Sequence, residues 1–211
     1  MFQSSILLGP AQSVRPFPVQ WYKTFGGTNY ESAFKVAVAP DGGYAVLGTS
    51  DSGISGDKTT PNYGSDDGWL VRLDSRSNKL WERDFGGMDG ESVRDLSAST
   101  NGGWIFVGAS YSSFSGNKTS TNYGLSDYWV VRVDDQGNKL WDKTFGGSSY
   151  DEAKAVVEAD NGDFIVAGYS RSGTSEVKTV PGFGSADIWL LRLTSQGLSL
   201  PTSWKNHALT R

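Results

Sequence analysis

Trp21-Tyr22-Lys23-Thr24-Phe25-Gly26-Gly27 returns sixty residues later as Trp81-Glu82-Arg83-Asp84-Phe85-Gly86-Gly87. It returns again as Trp141-Asp142-Lys143-Thr144-Phe145-Gly146-Gly147. Working outward, Trp69, Trp129 and Trp189 keep the same spacing, as do Asp67, Asp127 and Asp187. A register that holds at one period of this length marks a repeat architecture, in which each unit buries its apolar face on its neighbour.

One unit shows what is repeated. Phe34–Ala39 alternates in character and reads as a strand. Pro40-Asp41-Gly42-Gly43 turns the chain, with an Asp-Gly pair suited to a tight hairpin. Tyr44–Ser50 is a second strand, and a long polar loop, Asp51–Asp66, follows. Trp69–Leu73 and Lys79–Phe85 are a third and a fourth, joined by a turn over Ser75–Asn78. No stretch sustains a 3.6-residue period, so no helix is expected. Four short antiparallel strands per unit predict an all-β chain built from β-propeller blades. The expected organisation is an irregular leader (1–20), repeats over 21–80, 81–140 and 141–197, and an irregular tail (198–211).

The strand count does not close. In the third unit, Lys154–Ala159, Phe164–Ser170 and Ile188–Leu193 have no fourth partner, because the chain there reads Leu198-Ser199-Leu200-Pro201. Proline removes a ladder donor. Trp21–Phe25, in turn, is an outer-strand motif without a preceding blade. Propellers need about 4–8 blades to fill a circle. The expectation is therefore a two-fold homodimer in which two chains form a six-bladed ring and exchange their N-terminal strands.

Composition narrows the function. Nineteen basic and 23 acidic residues leave a formal net charge of −4, which gives no electrostatic case for nucleic acid. Without cysteine there is no disulfide, thiol catalysis or thiolate metal site. The only histidine, His207, falls in the tail, so a serine–histidine–acid triad and a multi-histidine zinc site are disfavoured. No phosphate loop or dinucleotide fingerprint occurs, and nothing signals a flavin or haem. No apolar run approaches the roughly 18 residues of a membrane span. Ile6-Leu7-Leu8 lacks the basic start of a signal peptide.

Most repeated residues read as structural. Trp69, Val71, Leu73 and their counterparts are expected between the sheets, with Trp21, Trp81 and Trp141 covering the outer edge. Arg72, Arg132 and Arg192 are expected to pair with Asp67, Asp127 and Asp187, or with Glu31, Glu91 and Asp151. Lys58, Lys118 and Lys178 would tie down the long loops. Two sets of candidates remain. Tyr63, Tyr123, Phe183, Tyr30 and Tyr150 place aromatics over polar loops, a pattern suited to sugar binding. Glu31, Glu91 and Asp151 could ring a channel and hold calcium, which takes about 6–8 oxygen ligands, although no calcium-loop spacing is present.

The pattern Trp-x-x-x-Phe-Gly-Gly, then an acid, Asp-Gly-Gly-aromatic-x-Val-x-Gly-x-Ser and Asp-x-Trp-Leu-Val-Arg-Leu resembles propeller-like repeats of large secreted or surface proteins of bacteria. The resemblance covers roughly Gln20 to Gly197. It implies an adhesive, non-catalytic module at the cell surface or outside it, binding carbohydrate or protein. The alternative is a calcium-dependent hydrolase of esters or lactones. In it Glu31, Glu91 and Asp151 would hold the metal, and Asp67, Asp127 or Asp187 would act as general base.

Overall fold

Eleven strands, joined by turns and long loops, make up the chain in the computed structural model, which describes residues 21–199. The expected leader, Pro201 and His207 lie outside the described residues. The strands are β1 (Glu31–Val38), β2 (Tyr44–Ser50), β3 (Asp67–Leu73), β4 (Lys79–Phe85), β5 (Glu91–Ala98) and β6 (Trp104–Ser110). They continue with β7 (Asp127–Val133), β8 (Lys139–Phe145), β9 (Asp151–Glu158), β10 (Phe164–Ser170) and β11 (Asp187–Leu193). They form three antiparallel sheets in the orders β1-β2-β3-β4, β5-β6-β7-β8 and β9-β10-β11. The protein is all-β over the described residues.

The registers repeat with the sequence. Gly48 faces Trp69 and Gly108 faces Trp129, while Gly168 faces Trp189. On the other side of these glycines the first strand of each sheet carries an extra residue, at Phe34, Arg94 and Lys154. This bulge brings the Ser32, Ser92 and Glu152 carbonyls against the glycines, where a Cβ would collide with backbone. The glycine and the bulge therefore require each other.

The second sheet lies between the other two. Ala45, Leu47 and Leu70 of the first sheet pack on Val93, Phe106, Trp129 and Val131 of the second. The opposite face of the second sheet presents Ile105, Val107, Tyr128 and Val130 to Ala153, Phe164, Val166 and Trp189 of the third. Phe106 lies edge-on to Trp129 within the second sheet, ring centroids 5.8 Å apart, and meets Phe85 of the first sheet at 5.2 Å. The tryptophans of the third strands are thus core residues, as the repeat implies. Trp81 and Trp141 cover the outer edge. Each donates its indole N–H across to the next sheet, to the Asp135 and Ser195 carbonyls, both at 3.1 Å.

Within the single chain Trp21–Phe25 forms no strand. Phe25 instead packs on Trp69, Val71 and Leu73, and Trp21 lies 6.1 Å from Tyr44, ring to ring. The first and third strands of each sheet also begin earlier than their apolar residues suggest, at Glu31, Glu91 and Asp151 and at Asp67, Asp127 and Asp187. After β11 the chain turns at Thr194–Leu198 and makes a single bridge, Leu193 to Ser199.

Candidate functional site

The repeated acids meet at the junctions between sheets. Asp67 opens β3 and Glu91 opens β5, and both point at Gly86, which links β4 to β5. Asp127 and Asp151 converge on Gly146 in the same way. A Cβ at either glycine would displace the carboxylates, so Gly86 and Gly146 are small because acids occupy that space. All four acids are buried. The junction is sewn by backbone bonds from Glu91 N–H to the Asp66 carbonyl (2.6 Å) and from Asp151 N–H to the Ser126 carbonyl (2.7 Å).

Each acid has a defined task. Asp67 Oδ2 accepts the Tyr63 amide at 2.5 Å, Asp127 Oδ2 the Tyr123 amide at 2.6 Å, and Asp187 Oδ2 the Phe183 amide at 2.8 Å. The candidate bases therefore hold the turns that carry the candidate aromatics. Glu91 accepts Gly87 N–H (2.9 Å) and Ser110 Oγ–H (2.8 Å). Asp151 accepts Gly147 N–H (2.9 Å) and Ser172 Oγ–H (2.7 Å). Asp67 Oδ1, Asp127 Oδ1 and Asp151 Oδ1 have no hydrogen-bond partner among the described residues. Burial above all pushes Asp67 up to about 7. The charges of Glu91 and Asp84 add to this, against the Tyr63 amide and Lys58. Burial likewise pushes Asp127 up to about 6, with the Asp151 charge adding to it. A carboxyl that stays protonated to near neutrality can donate to its neighbour, which answers the need of an unpartnered oxygen.

Glu31, Glu91 and Asp151 each begin the first strand of a different sheet. Among the described residues no group of three or more acids or histidines is placed to hold a metal. Glu91 and Asp151 face acids of the preceding sheet's third strand.

The arginines go elsewhere than the spacing suggests. Arg72 pairs with Asp41 of the β1–β2 turn at 2.6 Å, and Arg192 with Asp163 of the β9–β10 turn at 2.8 Å. Arg132 donates to the Trp104 carbonyl at 3.1 Å and to those of Val133 and Gly102. Their strands run antiparallel to β2, β6 and β10, so an arginine near the far end of β3 lies beside the hairpin turn and away from the acid that opens β3. The lysines do tie down the loops. Lys58 Nζ lies 2.6 Å from Asp84 and donates to the Ser52 and Thr60 carbonyls at 2.9 and 3.0 Å. Lys118 bonds Thr144 Oγ1 at 3.1 Å and the Ser120 carbonyl. Lys178 bonds the Ser172 and Val180 carbonyls at 3.0 and 2.9 Å.

The loop aromatics are presented to solvent. Tyr63, Tyr123 and Phe183 are 37%, 47% and 93% exposed, and Tyr30 and Tyr150 are also exposed. Ile54, Tyr111 and Phe114 join them on the same loops; their only sequence signal was an apolar side chain inside a polar run. Sequence reasoning also missed the ion pairs between the first strands, Lys35–Asp95 at 2.8 Å and Arg94–Glu152 at 2.6 Å. Arg94 occupies the bulge position, where the first repeat has Phe34 and only the third, with Lys154, keeps a basic residue.

No family model matches the chain. It is 28% identical over 147 residues to the regulatory protein FlaEY of Caulobacter vibrioides. The match covers 67% of this chain and 15% of that protein's length. No helix among the described residues is long and apolar enough to cross a membrane.

Proposed function

We propose that the three sheets are blades of a β-propeller and that the chain is a secreted or cell-surface binding module. Its ligand is a carbohydrate in the first instance and a protein segment in the second. The observation that carries this reading is the set of aspartates that open the third strands. Asp67, Asp127 and Asp187 spend a carboxylate oxygen on holding the turns where Tyr63, Tyr123 and Phe183 stand exposed. Exposed aromatics on fixed turns offer stacking surface at low entropic cost, and the polar loops beside them supply hydroxyl and amide partners. Repetition makes the contacts weak singly and strong together on a repetitive ligand. The two-chain ring of six blades would double the number of such turns. Placement outside the cell follows from the resemblance to bacterial secreted and surface repeats.

The calcium-dependent hydrolase remains the alternative. It would need the loops to open, since Asp67 and Asp127 are sealed from solvent. Screening the protein on a glycan array, with Tyr63→Ala, Tyr123→Ala and Phe183→Ala combined, separates the two. Binding without turnover that falls at least tenfold in the triple variant supports the module. Lactone or ester hydrolysis that a chelator abolishes would overturn it.

A further inference from the structure

Among the described residues, the two ends of the sheet array carry complementary vacancies. The first is at β11. In the complete sheets, β4 pairs with β3 and β8 with β7, whereas among the described residues the corresponding edge of β11 carries only the Leu193–Ser199 bridge. Beside it runs a groove of about 490 Å³ lined by Phe145, Val177, Thr179, Trp189, Leu191 and others. Lys178 borders the same place. Lys58 and Lys118 each bond a residue of the fourth strand, Asp84 and Thr144, in addition to loop carbonyls. Lys178 is buried with only its two carbonyls as partners among the described residues. The residue sixty before Asp84 is Thr24.

The second vacancy is on the first sheet. Its outer face is a groove of about 360 Å³, lined by Trp21, Phe25, Ala33, Val46, Trp69 and Val71 among others. The corresponding faces of the second and third sheets are filled by the sheet before them, through Leu70 and through Val130. The residue sixty after Val130 is Leu190, which is 62% exposed; its neighbour Ile188 is 84% exposed. Tyr128, the counterpart of Ile188, is fully buried. The acids tell the same story. Asp187 has no following acid within the chain, and Glu31 has no preceding one. A Cβ on Gly26 would meet Glu31 alone, where Gly86 and Gly146 each meet a pair.

We propose that two copies of the chain dock head to tail. Trp21–Phe25 of each adds to β11 of the other as its fourth strand, and Leu190 of each fills the groove on the other's first sheet. This rests on the two-chain ring proposed above and gives it a register. In the complete sheets Leu70 faces Arg83 and Val71 faces Glu82, just as Val130 faces Lys143 and Val131 faces Asp142. The same register across two copies sets Leu190 opposite Lys23, Leu191 opposite Tyr22 and Ile188 opposite Phe25. It also brings Thr24 to Lys178 and Asp187 to Glu31. The interface is the one the chain already makes twice within itself, so shape and polarity match without a new contact type. Because the docking faces differ, the contact is head to tail, and two copies bury both vacancies where three sheets span half of the ring.

The chain has no cysteine, which makes disulfide trapping clean. The variant Lys23→Cys/Leu190→Cys, mildly oxidised, should run as a covalent dimer that reductant reverses. Tyr22→Cys/Leu190→Cys, whose cysteines fall on opposite strand faces, should stay uncrosslinked. Light scattering on the unmodified chain should give twice 22.8 kDa, and Leu190→Asp should return it to the monomer with an unchanged circular dichroism spectrum. A folded monomer of the unmodified chain would overturn the ring and the docking together. A dimer in which the register pair fails to crosslink, or crosslinks no better than its control, would overturn this docking and leave the ring standing. Open-ended polymers would overturn the two-copy closure.

Discussion

Asp67 and Asp127 couple stability to pH in a direction opposite to most carboxylates. Asp67 titrates at about 7 in the folded chain against a reference of 3.8, and Asp127 at about 6. The folded chain therefore keeps protons that the unfolded chain gives up. Their contribution is complete below the reference value and is lost as pH rises through about 6 to 7. Asp142, held well below the usual carboxylate range by Lys139, Ser120 and Thr119 against the opposing effect of burial, acts only in acid and does not disturb that window. The protein should thus be less stable at about pH 8 than at about pH 5, by an amount on the order of a few kcal/mol. Asp67→Asn should flatten that slope and unfold later than the parent at about pH 8. Urea denaturation at the two pH values measures it, and an unchanged slope would show that the acid pairs are not the titrating groups.

At the scale of elements, the turn between third and fourth strands differs in one repeat. Gly137 and Gly197 adopt φ of 77° and 73° there, while Ser77 is forced to 64° and buries a hydroxyl with no partner. Ser77→Gly should raise stability by about 0.5–1 kcal/mol, because the left-handed conformation favours glycine and the orphaned hydroxyl is removed. A thermal melt that moves down would show that the Ser77 side chain packs usefully. The same scale explains what sequence reading missed. Hairpin turns and apolar strand centres were legible, since Asp-Gly turns and alternating residues are local signals. Strand starts were not, because Glu91, Asp67, Asp127 and Asp151 look like loop acids until the facing acid of the next sheet is in place. The Arg72–Asp41 pair was hidden for a similar reason. Sixty-residue spacing aligns Arg72 with every repeated acid equally, and only the antiparallel hairpin decides which one it reaches.

At the scale of the whole molecule, equivalent residues have unequal weight. Leu70 is fully buried and Leu190 is 62% exposed, although they are repeat counterparts. Leu70→Ala should cost about 2–5 kcal/mol, as deletions in packed cores do. If the chains dock, Leu190→Ala should lower the melting temperature by an amount that depends on protein concentration, since association then contributes to stability. A small effect independent of concentration would place Leu190 at a free surface. The sequence by itself determined the repeat, its period, the all-β character and which tryptophans are core, because those depend on local alternation and on turn residues. Only the tertiary structure decided that the repeated acids are buried in pairs across the sheet junctions, that Trp21–Phe25 lies unpaired on the first sheet, and that each end of the array exposes an apolar face. Those outcomes depend on which sheet lies against which, and a chain of near-identical units carries that information in its packing and not in any one unit.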